Sequence, residues 1–559
     1  MILHILLIIF LLIPSLAEGL GLGVDRRISL LYFSTIASFL YIYLLFLPKP
    51  IKMPLKAGIL YLLFLFFSIV SALFFSLDKQ VSFELFLLYY SSFLFFIFFY
   101  NQKKVISHFI YYLPVVLGTC FSLYSYILPF FKQNGFNFLL PIGEKQFIFA
   151  WYGGHNHLGD YLGLLIIVLL SYCFKKKWVF FFVSIFFYIL IVSFSRSAYM
   201  ALFFVGTFML FQERKRLSSL FLFIFLLISS FILFMTYLVS MQQPSTSPFY
   251  QVQSYINSSL HFSPRDLISG RDLYMKQAIL SIQKNPLFGI GGGNFIIASQ
   301  NNIINNNYSD SAHNVFLELA TEQGILATAC FLLFSILITK RVFQSPSISG
   351  FLFLYLLLNF QTDYIYQIYS IFLFWIILSS VAYSEKEEIS IPTTVVGLSY
   401  LLPLVVLTCI MTSGLLVKMH RYEGAIGWYS LNKAAYNNSI KEAGKKSPEF
   451  IKKMRQLAPY DRNFIIIAAD YLIRQGSKKE ALRYYESVYE TNHLCSFYFI
   501  KKIYMLKKEL QSQYDADFFL RNVVLEYNQI FASNSLNEEF IVFCKEAKIQ
   551  QCPKIGWNR

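Results

Sequence analysis

Apolar runs recur through this 559-residue chain at lengths that match a lipid bilayer, and no soluble fold buries so many of them. A helix needs about 20 apolar residues to cross the hydrocarbon layer, where its backbone groups must be satisfied within the segment. Candidate spans lie near residues 1–17, 29–47, 57–75, 83–100, 109–131, 158–174, 178–194, 197–211, 218–239, 315–339, 350–362, 366–383 and 394–416. Several are short and two are interrupted, so the expected fold is an all-α polytopic membrane helix bundle of 12 to 13 spans. A composition of 56% hydrophobic and 14% charged residues, with mean hydropathy +0.54, agrees with that class and excludes an ordinary soluble globule.

The net charge of +16 is accounted for by orientation. Lys49, Lys52 and Lys56; Lys103 and Lys104; Lys175, Lys176 and Lys177; Arg214, Lys215 and Arg216; and Lys340 with Arg341 fall on every second loop, which makes those loops cytoplasmic. Arg26 and Arg27 oppose the pattern and are outvoted. Basic clusters used in this way leave no case for nucleic-acid binding. The first run also reads as a signal peptide ending at Ser15-Leu16-Ala17 before Glu18, although a positively charged leader is missing; either reading leaves the later topology unchanged.

Two parts follow: a membrane part, residues 1–417, and a soluble helical part, residues 418–559. Within the first, a polar stretch at 240–312 is far longer than the usual connection between spans and is expected to form a large outward loop. In the second, Ala458-Pro459-Tyr460-Asp461, then an apolar helix, Gly476, Ala481, Tyr485 and Val488 follow the order of a tetratricopeptide repeat, in which small residues let two antiparallel helices approach. Residues 448–457 and 496–508 read as degenerate repeats, or the whole as an unrelated helical bundle. Of seven cysteines, Cys120, Cys173, Cys330 and Cys409 sit in apolar runs as packing residues, and Cys544 with Cys552 is a candidate disulfide.

Four polar groups are candidates for chemistry. Arg196 stands in Ser193-Phe194-Ser195-Arg196-Ser197-Ala198 between two short apolar runs, either snorkelling to headgroups or serving as a fixed phosphate binder. His313 and Asn314 open a helix expected to continue through Glu318, Glu322 and Gly324. From Ile325 only fifteen residues remain before Lys340, about 22 Å of helix, so its first turns are expected at the outer interface. There His313 is either a surface or capping residue or a base for an attacking hydroxyl. The loop adds Gly270-Arg271 and Gly289-Ile290-Gly291-Gly292-Gly293-Asn294-Phe295, which lacks the pattern of a nucleotide site and otherwise reads as a tight turn between surface helices. His155, Asn156, His157 and Asp160 line an outward cavity more readily than they ligate a metal.

The ordered set Ser195-Arg196-Ser197-Ala198, Gly270-Arg271, Gly289 to Phe295, and Ala312-His313-Asn314-Val315-Phe316-Leu317-Glu318-Leu319 with Gly324 resembles the O-antigen ligase superfamily over about residues 150–385. The resemblance implies a metal-independent glycosyltransferase, without a cofactor, that moves a glycan from undecaprenyl diphosphate to a hydroxyl. It places the chain in a bacterial inner membrane with the large loop and the C-terminal part periplasmic. By position, His313 resembles the family histidine that acts as base or orients the acceptor. Arg196 and Arg271 resemble the arginines that hold the donor diphosphate, with Arg265 competing for the second role; Asn314, Glu318, His155 and Asn156 support the site. Gly292 departs from a position where many members carry proline, and tryptophan is sparse. The implied partners are the lipid-linked donor, membrane lipids, an acceptor that is lipid A core, a protein or a growing glycan, and a protein at the C-terminal helices. A transporter of lipid-linked sugars is the reading from another class; it would call for internal repeats and broken helices in paired positions, which the sequence does not show.

Overall fold

The computed structural model describes residues 50–106, 155–173, 178–193, 195–212, 271–302, 308–385, 387–442, 446–491, 497–526 and 542–545, with 30, 35–37, 40, 176, 304 and 549 besides. Nine of the thirteen apolar runs fall there, and each is a helix. Runs 1–17, 109–131 and 218–239, nearly all of 29–47, the signal-peptide alternative, Arg265 and Cys552 lie outside the described residues.

The membrane part opens with strand β1 (Ile51–Pro54) and helix α1 (Leu55–Val70), which runs on through one π turn at Ser71–Phe75. Helices α2 (Lys79–Ile106), α3 (His155–Cys173), α4 (Val179–Ser193) and α5 (Arg196–Gln212) follow. Within the polar stretch stand α6 (Arg271–Lys284) and the short α7 (Phe295–Asn301); then come α8 (Val315–Gln344), α9 (Ile348–Asn359), α10 (Tyr369–Ala382), strand β2 (Glu388–Ile391) and α11 (Thr393–Lys418). Among the described residues four helical stretches are long and apolar enough to cross a membrane: Leu55–Phe75, Lys79–Lys103, Val315–Gln344 and Gly397–Lys418. Gly159–Tyr172, Ser197–Met209, Ile348–Asn359 and Ile371–Ala382 are apolar but shorter.

Aromatic rings knit these helices together, since in lipid association rests on close packing rather than on expelling water. Tyr61 of α1 stacks on Phe93 of α2 at 5.2 Å and meets Phe334 of α8 edge-on at 5.3 Å. Trp375 of α10, fully buried, lies 5.5 Å from Phe331 and 5.0 Å from Phe353 of α9. Gly163 lets α3 approach α9: a Cβ there would stand 2.0 Å from the Tyr355 hydroxyl.

One end of the bundle is closed by β1 and β2, paired antiparallel with Ile51 opposite Ile391. Lys52 bridges to Glu388 at 2.7 Å and exchanges hydrogen bonds with Asn101, near the end of α2, while Arg341 donates to Ser384 just before β2. Lys52, Lys56 and Arg341, read from the sequence as same-side residues, therefore gather at one end.

Beyond Lys418 the chain forms α12 (Tyr422–Trp428), α13 (Lys433–Lys441), α14 (Ser447–Leu457), α15 (Arg462–Arg474), α16 (Lys478–Thr491), α17 (Phe497–Leu510) and α18 (Gln513–Glu526). Asp461 caps α15 by accepting from Phe464 N at 3.0 Å, and Gly476 at φ 79° turns the chain into α16. Ala468, Ala469 and Ala481 have no exposed surface, and the Tyr485 ring is buried beside them. Cys544 is disulfide-bonded.

Candidate functional site

At the end opposite the strands, α8 begins and α9 ends, and Val315 N donates to Phe360 O at 2.8 Å. Asn314 caps α8: its side-chain oxygen accepts from Phe316 N (3.1 Å) and Leu317 N (3.0 Å), while its amide donates to Gln361 O (3.2 Å) and Gln361 Oε1 (3.1 Å). The cap is thus Asn314, which leaves the preceding residue free of that role. His313 sits at φ 53°, a left-handed conformation rare outside glycine and costing about 1–3 kcal/mol, of the kind that persists where surroundings over-determine it.

Those surroundings are specific. The imidazole stacks on Tyr274 of α6 at 5.6 Å and meets Tyr364 edge-on at 5.3 Å. Its Nδ1 lies 3.8 Å from Asp363 Oδ1, an ion-pair separation too long for a hydrogen bond. Asp363 is fully buried; Oδ1 accepts from Tyr364 N at 2.8 Å, and Oδ2 receives Arg271 Nη2 at 3.3 Å and Ser197 Oγ at 3.4 Å. Burial alone would raise the Asp363 pKa, but His313, the Arg271 guanidinium and the Tyr364 amide together hold it below the usual aspartate value. One carboxylate therefore gathers α5, α6, the start of α8 and the turn after α9.

Of the residues expected at the site, Arg271 and His313 meet on Asp363. Arg196 opens α5 one residue before Ser197, whose hydroxyl reaches the same carboxylate, but the Arg196 side chain is outside the described residues. His155 and Asn156 open α3 with side chains likewise outside the description, and Arg265 lies outside it altogether. Asp160, one turn into α3, is buried with both oxygens lacking a hydrogen bond from any described residue. Among the described residues no three His, Cys, Asp or Glu side chains stand together as metal ligands.

Glu318 is a buried hub. Oε2 accepts from Ser311 Oγ (2.9 Å), Ala312 N (2.9 Å) and Tyr366 OH (2.5 Å), and Oε1 from Gln367 Nε2 (2.7 Å). Ser311 Oγ also accepts from His313 N at 3.0 Å, so the carboxylate fixes the peptide that carries the imidazole.

The helix expected to run unbroken through Gly324 is broken there, at φ 83° and ψ 170°. The cause is remote in sequence: the glycine-rich turn docks into the gap, with Ile290 N on Thr321 O (3.1 Å), Gly291 N on Glu322 O (2.6 Å) and Ile325 N on Pro286 O (2.9 Å). Gly289, Gly291 and Gly293 all have positive φ. A Cβ on Gly289 would lie 2.5 Å from the Glu322 carbonyl. The turn is a structural plug rather than an anion site, and Glu322 Oε1 secures its far end on Phe295 N at 2.9 Å.

Sequence reasoning passed over Asp363, Tyr274 and Tyr364. The available signal was a lone acid in Gln361-Thr362-Asp363-Tyr364 between two apolar runs, where an ionisable group is functional by default.

Neither a curated protein nor a solved structure matches the chain. The family model described as O-Antigen ligase matches residues 179–332, which take in α4 to α7, the glycine-rich turn, Arg271, His313 and the break in α8, but stop short of Asp363. Members of that family are glycosyltransferase-like membrane enzymes of the ligase and polymerase type, and the order of motifs and their convergence here agree with it. Over residues 179–332, somewhat more than a quarter of its length, the chain is similar to the O-antigen ligase family.

Proposed function

We propose that this protein transfers a glycan from undecaprenyl diphosphate to a hydroxyl acceptor, with lipid A core favoured, at the periplasmic face of the inner membrane. The observation that carries the reading is the convergence of Arg271 and His313 on the buried Asp363. A carboxylate facing Nδ1 favours the tautomer protonated there, which leaves Nε2 to accept a proton. In the proposed step the acceptor oxygen attacks the anomeric carbon and the bond from that carbon to the diphosphate oxygen breaks. The hydroxyl proton passes to His313 Nε2, and the diphosphate departs with the bonding electrons. Arg271 spends one of its five donors on Asp363 and has others to offer the developing negative charge; the resemblance gives Arg196 the same task and makes Arg265 the alternative to Arg271.

A lipid-borne donor also needs a path for its tail. An apolar groove of about 610 Å³ opens sideways along α8 and α9, from Phe316, three residues after His313, past Leu332, Ile336 and Leu357 to Lys340 and Phe343. Its position supports a membrane-embedded substrate delivered to the His313 end.

Transfer to a protein hydroxyl or to a growing polysaccharide is the second reading, favoured by helices α12 to α18, which Lys433 of α13 holds against Asp78 and Gln80. On this reading those helices, in a tetratricopeptide-like arrangement, present a protein or other large partner to the site. Purified Arg196→Ala and His313→Ala are expected to insert normally and to lose transfer; wild-type transfer by either would refute the assignment. In a deletion strain, loss of the long lipopolysaccharide ladder would mark a lipid A core ligase, and loss of protein glycans alone a protein ligase.

A further inference from the structure

The C-terminal helices meet the membrane part at one buried cation. Lys433, the first residue of α13, pairs through Nζ with Asp78, in the loop joining α1 to α2, and with Asp461 at 2.9 Å. Only 20% of its side chain is exposed, against 10% and 14% for the two acids. Its backbone N–H donates to Gln80 Oε1 at 3.0 Å, and Gln80 in turn donates to Glu84 at 2.8 Å. One residue earlier, Asn432 donates to Ser413 of α11 at 2.8 Å. A simple tether has no need of such a contact: the exposed pair Lys446 and Glu423, both more than half exposed, is what an incidental surface bridge looks like.

The far side of the Asp78 loop is the glycine-rich turn. Leu77 N donates to Ile290 O (2.9 Å) and Ser82 Oγ to Gly292 O (2.8 Å), while the Asn294 amide donates to Ser82 (2.9 Å) and Ser76 (3.2 Å). The turn fills the break in α8, and six residues before that break Glu318 holds Ser311 and Ala312, next to His313 in the chain. These contacts leave no slack. A Cβ on Gly291 would lie 2.3 Å from Ser76 Oγ and one on Gly289 2.5 Å from Glu322 O, so the turn packs on the serine side chains of the loop and on the backbone of the helix with no room for a methyl group, and a shift of one presses on the next.

We infer that Lys433 is a positioning residue for His313, clamping the Asp78 loop against the glycine-rich turn so that the placement of the C-terminal helices sets the placement of the imidazole. The role of His313 rests on the function proposed above, but the mechanical coupling stands or falls without it.

Asp78→Asn tests the coupling with least damage, because it removes the charge that binds Lys433 while an asparagine oxygen still caps Val81 N (3.2 Å) and the Lys433–Asp461 pair stays whole. Full-length protein in lipid nanodiscs is compared by amide hydrogen exchange and by the pH profile of diethyl pyrocarbonate acylation at His313, a ring 15% exposed. In Asp78→Asn and Lys433→Met, exchange over 288–296 and 311–318 is expected to quicken by roughly tenfold or more, as local opening becomes easier, and the acylation profile at His313 to shift. Lys433→Arg is expected to restore both, and Lys446→Met to change neither. Exchange changes confined to α12 through α16, or an unaltered acylation profile in Asp78→Asn, would overturn the inference. Should Lys433→Met unfold the C-terminal helices, Asp78→Asn decides alone. Because neither readout needs glycan transfer, failure here is distinguishable from failure of the proposed reaction.

Discussion

Gly324→Ala puts a methyl group where the structure has no room for one. The added Cβ would stand 2.1 Å from Leu287 O, 2.3 Å from Leu287 C and 2.5 Å from Phe288 N, all backbone atoms that cannot rotate away. The native φ of 83° with ψ of 170° is a region open almost only to glycine, which adds about 1–3 kcal/mol of strain for any other residue. Relief requires the 286–291 turn to leave the break, giving up three backbone hydrogen bonds at roughly 0.5–1.5 kcal/mol each. The expected destabilisation is therefore roughly 3–7 kcal/mol, a large share of the total stability of a typical domain. Thermal unfolding of the purified protein in detergent, with amide exchange over 286–296, measures it. Gly427→Ala is the control, since it is exposed with nothing within 4 Å and should change stability by no more than about 1 kcal/mol. A Gly324→Ala protein as stable as Gly427→Ala, with the turn still protected, would refute the plug.

Glu318→Ala strips the partner from four donors, three of them buried, and is expected to cost about 3–5 kcal/mol, whereas Glu318→Gln keeps an acceptor and should lose less; exchange at 311–313 should rise in the same order. Asp363 has a folded pKa below its unfolded one, so its contribution to stability is complete above the ordinary aspartate value of about 3.9 and fades only as pH falls through the lower folded value. The gap in melting temperature between wild type and Asp363→Asn should accordingly stay level from about pH 8 to 5 and narrow below about 4, which melts across that range would check.

What hydropathy alone reveals here is the set of apolar helices among the described residues, four of them long enough to cross a membrane. Nine apolar runs became helices because an uninterrupted apolar stretch in lipid has no other way to satisfy its backbone. Where a helix breaks is a different matter. The run through Gly324 shows no interruption, and what opens it is a turn some 35 residues earlier whose glycines read as a surface feature until their hydrogen bonds to Thr321 and Glu322 are seen. Arg271 and His313 were legible by residue type and motif order. Their meeting point was not, because Asp363 is a lone acid 92 residues from Arg271 and no local spacing links them. The sequence marks Glu318 as an acid on an apolar helix, but its hydrogen bonds to Ser311 and Ala312, and to Tyr366 and Gln367 arriving from beyond α9, have no local signal.

The central claim is that His313 and Asp363 act as one unit with Arg271 in glycan transfer. Purified wild type, His313→Ala, Asp363→Asn and the double variant, assayed in nanodiscs with a lipid-diphosphate-linked glycan and its acceptor, test it as a cycle. If the carboxylate works through the imidazole, each single variant slows transfer severely and the double variant is within about twofold of His313→Ala alone. Effects that multiply in the double variant, or wild-type transfer by His313→Ala, would contradict the account.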